Sequence, residues 1–260
     1  MNPPKIFLRL ANIIFSKPFI IETNAANLIT TRRNTFKRPC IILNHGNAQP
    51  ITTTPDTILL NHPDAVKYCI NKNITRELIP GYMPDHYNPD TLTPKHFPVI
   101  IKPTTGHHSK GFKVIHTPQE LSDTPGIDRY IIQAHIETKG EYRFNIFDNT
   151  IYQISRKEII TRTADRTTFN YISLGADAKL SPKFYDFIHS AMHDITNELE
   201  NTLPHYAIDI LKATTGRYYI CELNSAPGLT GLTLPKLTST ITRKLYAGQL
   251  DKYKINPRRS

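Results

Sequence analysis

The chain has 260 residues, 39% of them hydrophobic and 21% charged, and 32 Lys and Arg against 22 Asp and Glu give a formal net charge of +10. That balance is the one of a soluble globular protein, with length for one large domain or a few small lobes. Three cysteines (Cys40, Cys69, Cys221), odd in number, far apart and set in apolar runs, exclude a disulfide framework or a zinc site and point to a reducing compartment, the cytoplasm.

The excess of positive charge favours polyanionic partners: nucleotide phosphates, nucleic acid or an acidic substrate. The N-terminal run IFLRLANIIFSKPFII is interrupted by Arg9, Asn12 and Lys17. It therefore reads as core, with no membrane span and no signal peptide.

Up to about residue 65, short apolar runs alternate with polar breaks. Ile41-Ile42-Leu43 precedes Asn44-His45-Gly46-Asn47, and Thr57-Ile58-Leu59-Leu60 precedes Asn61-His62-Pro63. Each pair reads as a strand and a turn at the carboxyl edge of an open α/β sheet, where such sheets bind ligands. Arg32, Arg33, Lys37 and Arg38 form a basic run between them, read as a solvated loop.

Asp64 to Leu78 has apolar residues Val66, Cys69, Ile70 and Ile74 at helical spacing, with Lys72 inside it and Pro80-Gly81 behind it. Residues 85–94 read as a loop. Phe97 to Pro103 is a strand ending in Lys102, followed by the loop Thr104-Thr105-Gly106-His107-His108-Ser109-Lys110-Gly111 and the strand Phe112 to Ile115. A strand, a Gly- and hydroxyl-bearing loop and a second strand make a flap whose backbone N–H groups can wrap phosphates.

Thr117 and Glu120 mark a helix start. Tyr130 to Ile136 is the next strand, and Glu137, Gly140, Glu141 and Arg143 lead into the strand Tyr142 to Phe147. Asp148-Asn149 turns the chain into Ile151 to Lys157, and residues 161–179 read as a polar loop over a site. Ser181-Pro182 begins a helix with one apolar stripe from Phe184 to Leu199.

Ala207 to Leu211 and Tyr218 to Leu223 read as the two strands of a hairpin. It sets Asp209 opposite Glu222 and Asn224, which share a face two residues apart. Two carboxylates and an amide oxygen make a hard-oxygen site suited to Mg²⁺ carrying nucleotide phosphates. Leu234 to Leu245 reads as a short helix and Asp251 to Ser260 as a basic tail.

The ordered set Lys72, Pro98-Val99-Ile100-Ile101-Lys102-Pro103, the Gly106 to Gly111 loop, Gln133 to Ile136, Gly140-Glu141-Tyr142-Arg143, Asp209 and Glu222-Leu223-Asn224-Ser225-Ala226-Pro227-Gly228 resembles the ATP-grasp superfamily. Within it, the set is most similar to ribosomal-protein glutamate ligases and related peptide-bond-forming enzymes. The likeness covers about residues 64 to 235, and the E-x-N-x-x-P-G ending and the Lys102-Pro103 strand end before the Gly loop are its most specific parts. The first 60 residues match only in being a short α/β lobe; they look unlike the longer N-terminal domains of the better-known ligases and are similar to small ATP-grasp proteins of phage or mobile-element type.

The resemblance implies an α/β fold of α+β lobes, with the nucleotide held between a small lid lobe and a C-terminal antiparallel-sheet lobe behind a short N-terminal lobe. The expected division is 1–65, 66–135, 136–250 and a tail at 251–260. The resemblance assigns Lys72 and Lys102 to the α- and β-phosphates. It assigns Thr105, Gly106, Ser109, Lys110 and Gly111 to the closing loop. Gln133, Ala134, His135 and Ile136 take adenine, and Glu137 or Glu141 the ribose.

In the same way Asp209, Glu222 and Asn224 hold two Mg²⁺ ions, with Mn²⁺ fitting the same donors, and Arg143, Arg156 and Asn170 face the γ-phosphate and an acyl phosphate. Two departures stand out. Ala207-Ile208 precede Asp209 where some members carry an Arg, and His107-His108 occupy the Gly loop where small residues are usual.

The implied activity is ATP-dependent carboxylate–amine ligation through an acyl phosphate, with an amino acid, peptide or protein as substrate. Alternatives are a protein acting on nucleic acid, attaching an amino acid to a modified base, and an ATP-dependent small-molecule kinase.

Overall fold

A computed structural model describes residues 4–10, 20–22, 27–105, 111–162, 167–229 and 232–255. The first sheet is built from β1 (Lys5–Leu10), β2 (Ile20–Glu22), β3 (Asn27–Thr31), β4 (Ile41–His45) and β5 (Ile58–Leu60), in the order β2-β3-β1-β4-β5. All neighbours run parallel except the edge strand β2. The short apolar runs at 41–43 and 58–60 are thus parallel strands, β4 inside the sheet and β5 at its edge, and residues 58–60 are all buried.

The helical periodicity of residues 64–78 resolves into two helices, α1 (Pro63–Ile70) and α2 (Lys72–Leu78). Asn71 breaks the run with extended backbone (φ −104°, ψ 113°). Its N–H still donates to the Lys67 carbonyl, and its side chain accepts from the Asn73 N–H. An Asn gains more as a cap than inside a helix. The restart puts Lys72 at the first position of α2, where its N–H donates to the Thr104 carbonyl at 3.0 Å.

The second sheet is antiparallel, in the order β6-β9-β7-β8, from β6 (His86–Tyr87), β7 (Val99–Pro103), β8 (Lys113–Ile115) and β9 (Tyr130–Ala134). Its own small core is Val99, Ile101, Ile115, Leu121 and Ile132, with Leu121 supplied by the short helix α3 (Pro118–Ser122). Residues 85–94, read as a loop, contribute β6, because His86 and Tyr87 pair with Gln133 and Ile132.

The third sheet, order β12-β11-β10-β13-β14, comprises β10 (Thr138–Phe147), β11 (Thr150–Arg162), β12 (Thr167–Gly175), β13 (His205–Ala213) and β14 (Tyr218–Asn224). The 161–179 region, read as a polar loop, contains β12. Its Thr, Phe, Tyr and Ile are strand formers set among polar residues. Helix α4 (Pro182–Glu198) buries Phe184, Ile188, Ala191, Met192 and Ile195 against the apolar face of this sheet. Ser181 makes no capping bond; its hydroxyl meets the Tyr218 hydroxyl at 3.0 Å.

Helix α5 (Thr233–Tyr246) brings Leu237 and Ile241 into one core with Ile6, Leu8, Leu43 and Leu60 of the first sheet and Phe147 and Tyr152 of the third. The 148–149 turn, left-handed at both residues, is tied to the C-terminal segment through Asp148. Its carboxylate accepts from Lys244 Nζ, Tyr253 Oη and Lys252 Nζ at 2.5–2.6 Å. Among the described residues no helix is long and apolar enough to cross a membrane.

The first and third sheets are also stitched by polar groups. Asn61 Nδ2 donates to the His205 carbonyl at 2.6 Å, and the His205 N–H donates to Asn61 Oδ1 at 2.8 Å. The rings of His45 and His205 stack at 5.8 Å, and Tyr152 Oη lies 3.1 Å from His205 Nε2. Burial lowers the His45 pKa to about 4 and lowers that of His205 as well.

Both rings are therefore neutral when folded and bind protons more readily when unfolded. For His45 the contribution is full above the unfolded value of about 6.5 and is lost as pH falls toward 4, about 3 kcal/mol in all, and His205 acts in the same direction. Urea midpoints measured from neutral pH downward should fall over this window, and His45→Gln should flatten the fall. An unchanged slope in the variant would contradict this assignment.

Candidate nucleotide and metal site

The third sheet sorts its residues by the two-residue alternation of strands. Across β11, β10, β13 and β14, the register aligns Ile154, Phe144, Ile208 and Leu223 in one row, all buried on the α4 face. The next row, Ser155, Arg143, Asp209 and Glu222, points to the opposite face. The flanking rows on that face carry Lys157 and Glu141 on one side, and Gln153, Asn145, Ala207 and Asn224 on the other. One face is core and the other is a charged floor.

Asp209 is at the centre of that floor and fully buried. Arg143 grips it bidentately, Nε to Oδ1 at 2.6 Å and Nη2 to Oδ2 at 2.7 Å, and Lys157 Nζ reaches Oδ2 at 2.5 Å. Lys157 also pairs with Glu141 Oε1. Burial alone would raise the Asp209 pKa, but the two cations outweigh it and hold the carboxyl well below its usual range. Burial lowers and Asp209 raises the pKa values of both cations, and the net shift of each is upward. The ring of Tyr171, cross-strand from Lys157, covers the Arg143 guanidinium at 4.7 Å and lies 5.9 Å from Lys157 Nζ.

The second sheet and α2 supply the opposing wall. Burial lowers the Lys72 pKa, Glu222 raises it and Lys102 lowers it, so these three groups lie within electrostatic reach of one another. Lys102 also acts on the half-buried Cys221 thiol, whose Sγ lies 3.7 Å from Glu141 Oε1. Gln133, fully buried on β9, has no partner for either amide atom among the described residues. Gly111 closes the flap with φ +75°, where a Cβ would stand 2.8 Å from Pro103 Cγ.

Six of the sequence-predicted residues thus converge: Lys72, Lys102, Glu141, Arg143, Asp209 and Glu222. Asn224 stands at the end of β14, its Oδ1 accepting from the Ala226 N–H at 2.8 Å. Gln133 and half-buried Ala134 and Ile136 follow on and after β9, with His135 and Thr105 exposed. Gly106, Ser109 and Lys110 lie outside the described residues.

Glu137 and Glu141 are separated. Glu141 is in the charged cluster, whereas Glu137 is exposed and accepts from Thr214 Oγ1 at 3.1 Å. Arg156 and Asn170 are not brought to the floor. Arg156 aligns with Tyr142 and Ile172 and pairs with Glu158, itself opposite Asn170, so all of them occupy the other face. The residues that occupy the expected places are Lys157 and Tyr171, one position along in each strand and not singled out from sequence.

Glu222, Asn224 and Asp209 form an all-oxygen donor set, which fits a hard divalent cation. In this arrangement the Asp209 oxygens are engaged by Arg143 and Lys157, so a cation would share them only if those two groups found another anion. Cations outnumber carboxylates around the floor, which leaves the cleft suited to a polyanion.

No protein-family model matches the chain. D-alanine–D-alanine ligases of Lacticaseibacillus casei and Lacticaseibacillus paracasei are 31% identical to it over 155 residues, 56% of this chain and 43% of theirs. The chain thus spans less than half the length of the curated relatives it matches. Among solved structures, the D-alanine–D-alanine ligase of Bacillus anthracis complexed with ATP superposes with a TM-score of 0.60 at 15% identity, over 96% of this chain and 99% of that one. The ATP-grasp ligase PsnB complexed with a minimal precursor gives 0.54 at 16% identity, over 74% and 64%. These superpositions show that the chain has the ATP-grasp fold.

Proposed function

We propose that the chain is an ATP-dependent carboxylate–amine ligase whose nucleotide lies between β7–β9 and the floor of the third sheet. The observation that carries this reading is the Asp209 cluster: a buried carboxylate neutralised by Arg143 and Lys157, with Glu222 beside it and Lys72 and Lys102 opposite. Lys72, Lys102, Lys157 and Arg143 hold the phosphate chain, and Glu141, inside the cluster, takes the ribose. Mg²⁺, when bound by Asp209, Glu222 and Asn224, supplies charge neutralisation to the phosphoryl group in transfer.

A triphosphate gives Arg143 and Lys157 a second anion and so releases the Asp209 oxygens. The substrate carboxylate attacks the γ-phosphoryl group, ADP leaves, and an amine then displaces phosphate from the acyl phosphate to form the amide. The protein's part is positioning and electrostatics, because no side-chain nucleophile is required. The residues after β9, from about 136, serve as the C-terminal lobe and the preceding flap as the lid. Like the ligases it resembles, the chain would act on an amino acid or a peptide. Release of ADP across a panel of amino acids and peptides, with the amide product read by mass spectrometry, tests this. ATP turnover with a phosphorylated product and no amide would overturn it.

Gln133 supplies the base-reading amide. A buried amide without a partner costs stability, and a bound adenine edge satisfies it. Gln133→Leu is therefore expected to raise the thermal midpoint of the nucleotide-free protein while weakening ATP binding about tenfold or more. Unchanged ATP affinity in calorimetric titration would remove Gln133 from the site.

A further inference from the structure

The N-terminal sheet contains a charge that the proposed ligase chemistry does not use. Arg9, at the carboxyl end of β1, is fully buried, and every acceptor it meets among the described residues is neutral. Nη1 donates to Asn44 Oδ1 at 2.8 Å and to the Asn47 carbonyl at 3.3 Å. Nη2 donates to Asn34 Oδ1 at 2.7 Å and to the Gln49 carbonyl at 2.8 Å, and Nε to the Arg33 carbonyl at 3.2 Å. A buried guanidinium without a carboxylate is costly unless its donors are all met, and here meeting them shapes two loops.

One of these loops, residues 31–38, carries Arg32, Arg33, Lys37 and Arg38, all exposed. It is held further by Phe36 N–H to the Thr52 carbonyl at 2.9 Å and Thr52 N–H to the Asn34 carbonyl at 2.7 Å. No Asp or Glu occurs in the sequence between Glu22 and Asp56. The cations therefore project from a fixed loop with no anion in their own segment, and the buried Arg9 adds to the same field.

The other loop connects this edge to the metal donors. Gly46 follows β4 with φ +74°, and a Cβ there would stand 2.7 Å from Ala226 Cβ. Ala226 is the residue whose N–H holds Asn224 Oδ1. The carboxyl edge of the first sheet and the metal end of β14 are thus contiguous.

We propose that this basic edge is the docking surface for a carboxylate-rich peptide segment, which it leads to the floor of the third sheet. The proposal rests on the ligase reading for its purpose, but not for the binding itself. An acidic peptide suits the edge better than a single-stranded nucleic acid. The loop's only aromatic residue, Phe36, is buried, so no exposed ring in it stacks with bases.

The test is fluorescence anisotropy with labelled hexaglutamate, hexaglutamine and a single-stranded hexanucleotide, without ATP or metal, over a salt series. Hexaglutamate is expected to bind with an affinity that falls with salt, and hexaglutamine to bind far more weakly. The triple variant Arg32→Ser, Lys37→Ser, Arg38→Ser should bind hexaglutamate about tenfold less tightly. Lys183→Ser, exposed on α4, should bind as wild type, and an unchanged thermal midpoint confirms that each variant folds.

Equal binding of hexaglutamate and hexaglutamine, or wild-type affinity in the triple variant, would overturn the proposal. So would tighter binding of the hexanucleotide lost in that variant, which would make the edge a nucleic-acid surface. Mg²⁺-ATP binding is titrated on the same samples. Its absence in the wild type would remove the ligase reading while leaving the peptide result readable, and its survival in the triple variant is expected.

Discussion

Glu222→Gln is expected to lower ATP turnover by about a hundredfold or more while leaving the protein folded. The change keeps the shape of the side chain and removes the charge of one of the proposed metal donors. Glu222 is half-buried, aligned with Asp209 across the hairpin, and makes no ion pair among the described residues. Its loss therefore breaks no such pair and only weakens the attraction felt by Lys72 and Arg143, so stability should shift by about 1 kcal/mol or less. ADP release and the thermal midpoint, measured together, check both halves. Wild-type turnover would remove Glu222 from the metal set.

Asp209→Asn is expected to behave differently, lowering stability by about 3 kcal/mol as well as abolishing turnover. Asp209 neutralises two largely buried cations, Arg143 and Lys157, and its removal leaves their charges facing each other on one floor. The depressed pKa of Asp209 gives the same sign. Its contribution is present above the unfolded value of about 3.9 and is lost as pH falls through the lower folded value. Urea unfolding near neutral pH reads the loss. Adding Lys157→Met to Asp209→Asn removes one of the stranded charges and should recover part of it. A double variant no more stable than the single one would contradict the charge account.

The contrast between these two variants marks what the sequence could and could not disclose. Alternation and turn residues were enough to align Asp209 with Glu222, because the hairpin at 205–224 pairs those two residues directly. They were not enough for the hairpin at 138–162. Counted symmetrically from the Asp148-Asn149 turn, Glu141 would face Arg156. A bulge between Asn145 and Ile146 moves the register by one residue, so Glu141 faces Lys157 and Arg156 faces away.

A one-residue slip flips every side chain beyond it. On the next strand, Asn170 is turned away and Tyr171 covers the cations. Bulges are set by local twist and packing and leave little trace in a pattern of polar and apolar residues. The helix break at Asn71 and the strand hidden in the polar 167–175 segment escaped pattern reading for a related reason. In each, tertiary pairing selected a conformation that periodicity alone left open. The neutral pinning of Arg9 was likewise beyond reach, because its acceptors come from four separate stretches of chain between residues 33 and 50.

Hydrogen exchange with and without Mg²⁺-ATP tests the nucleotide site most directly. Saturating Mg²⁺-ATP should slow amide exchange in β7, β9 and the residues up to 137, and at the Asp209 and Glu222 positions of β13 and β14, with little change in β2 and β3. Protection absent from β9 and β14, or confined to the N-terminal sheet, would contradict a nucleotide held between the flap and the Asp209 floor.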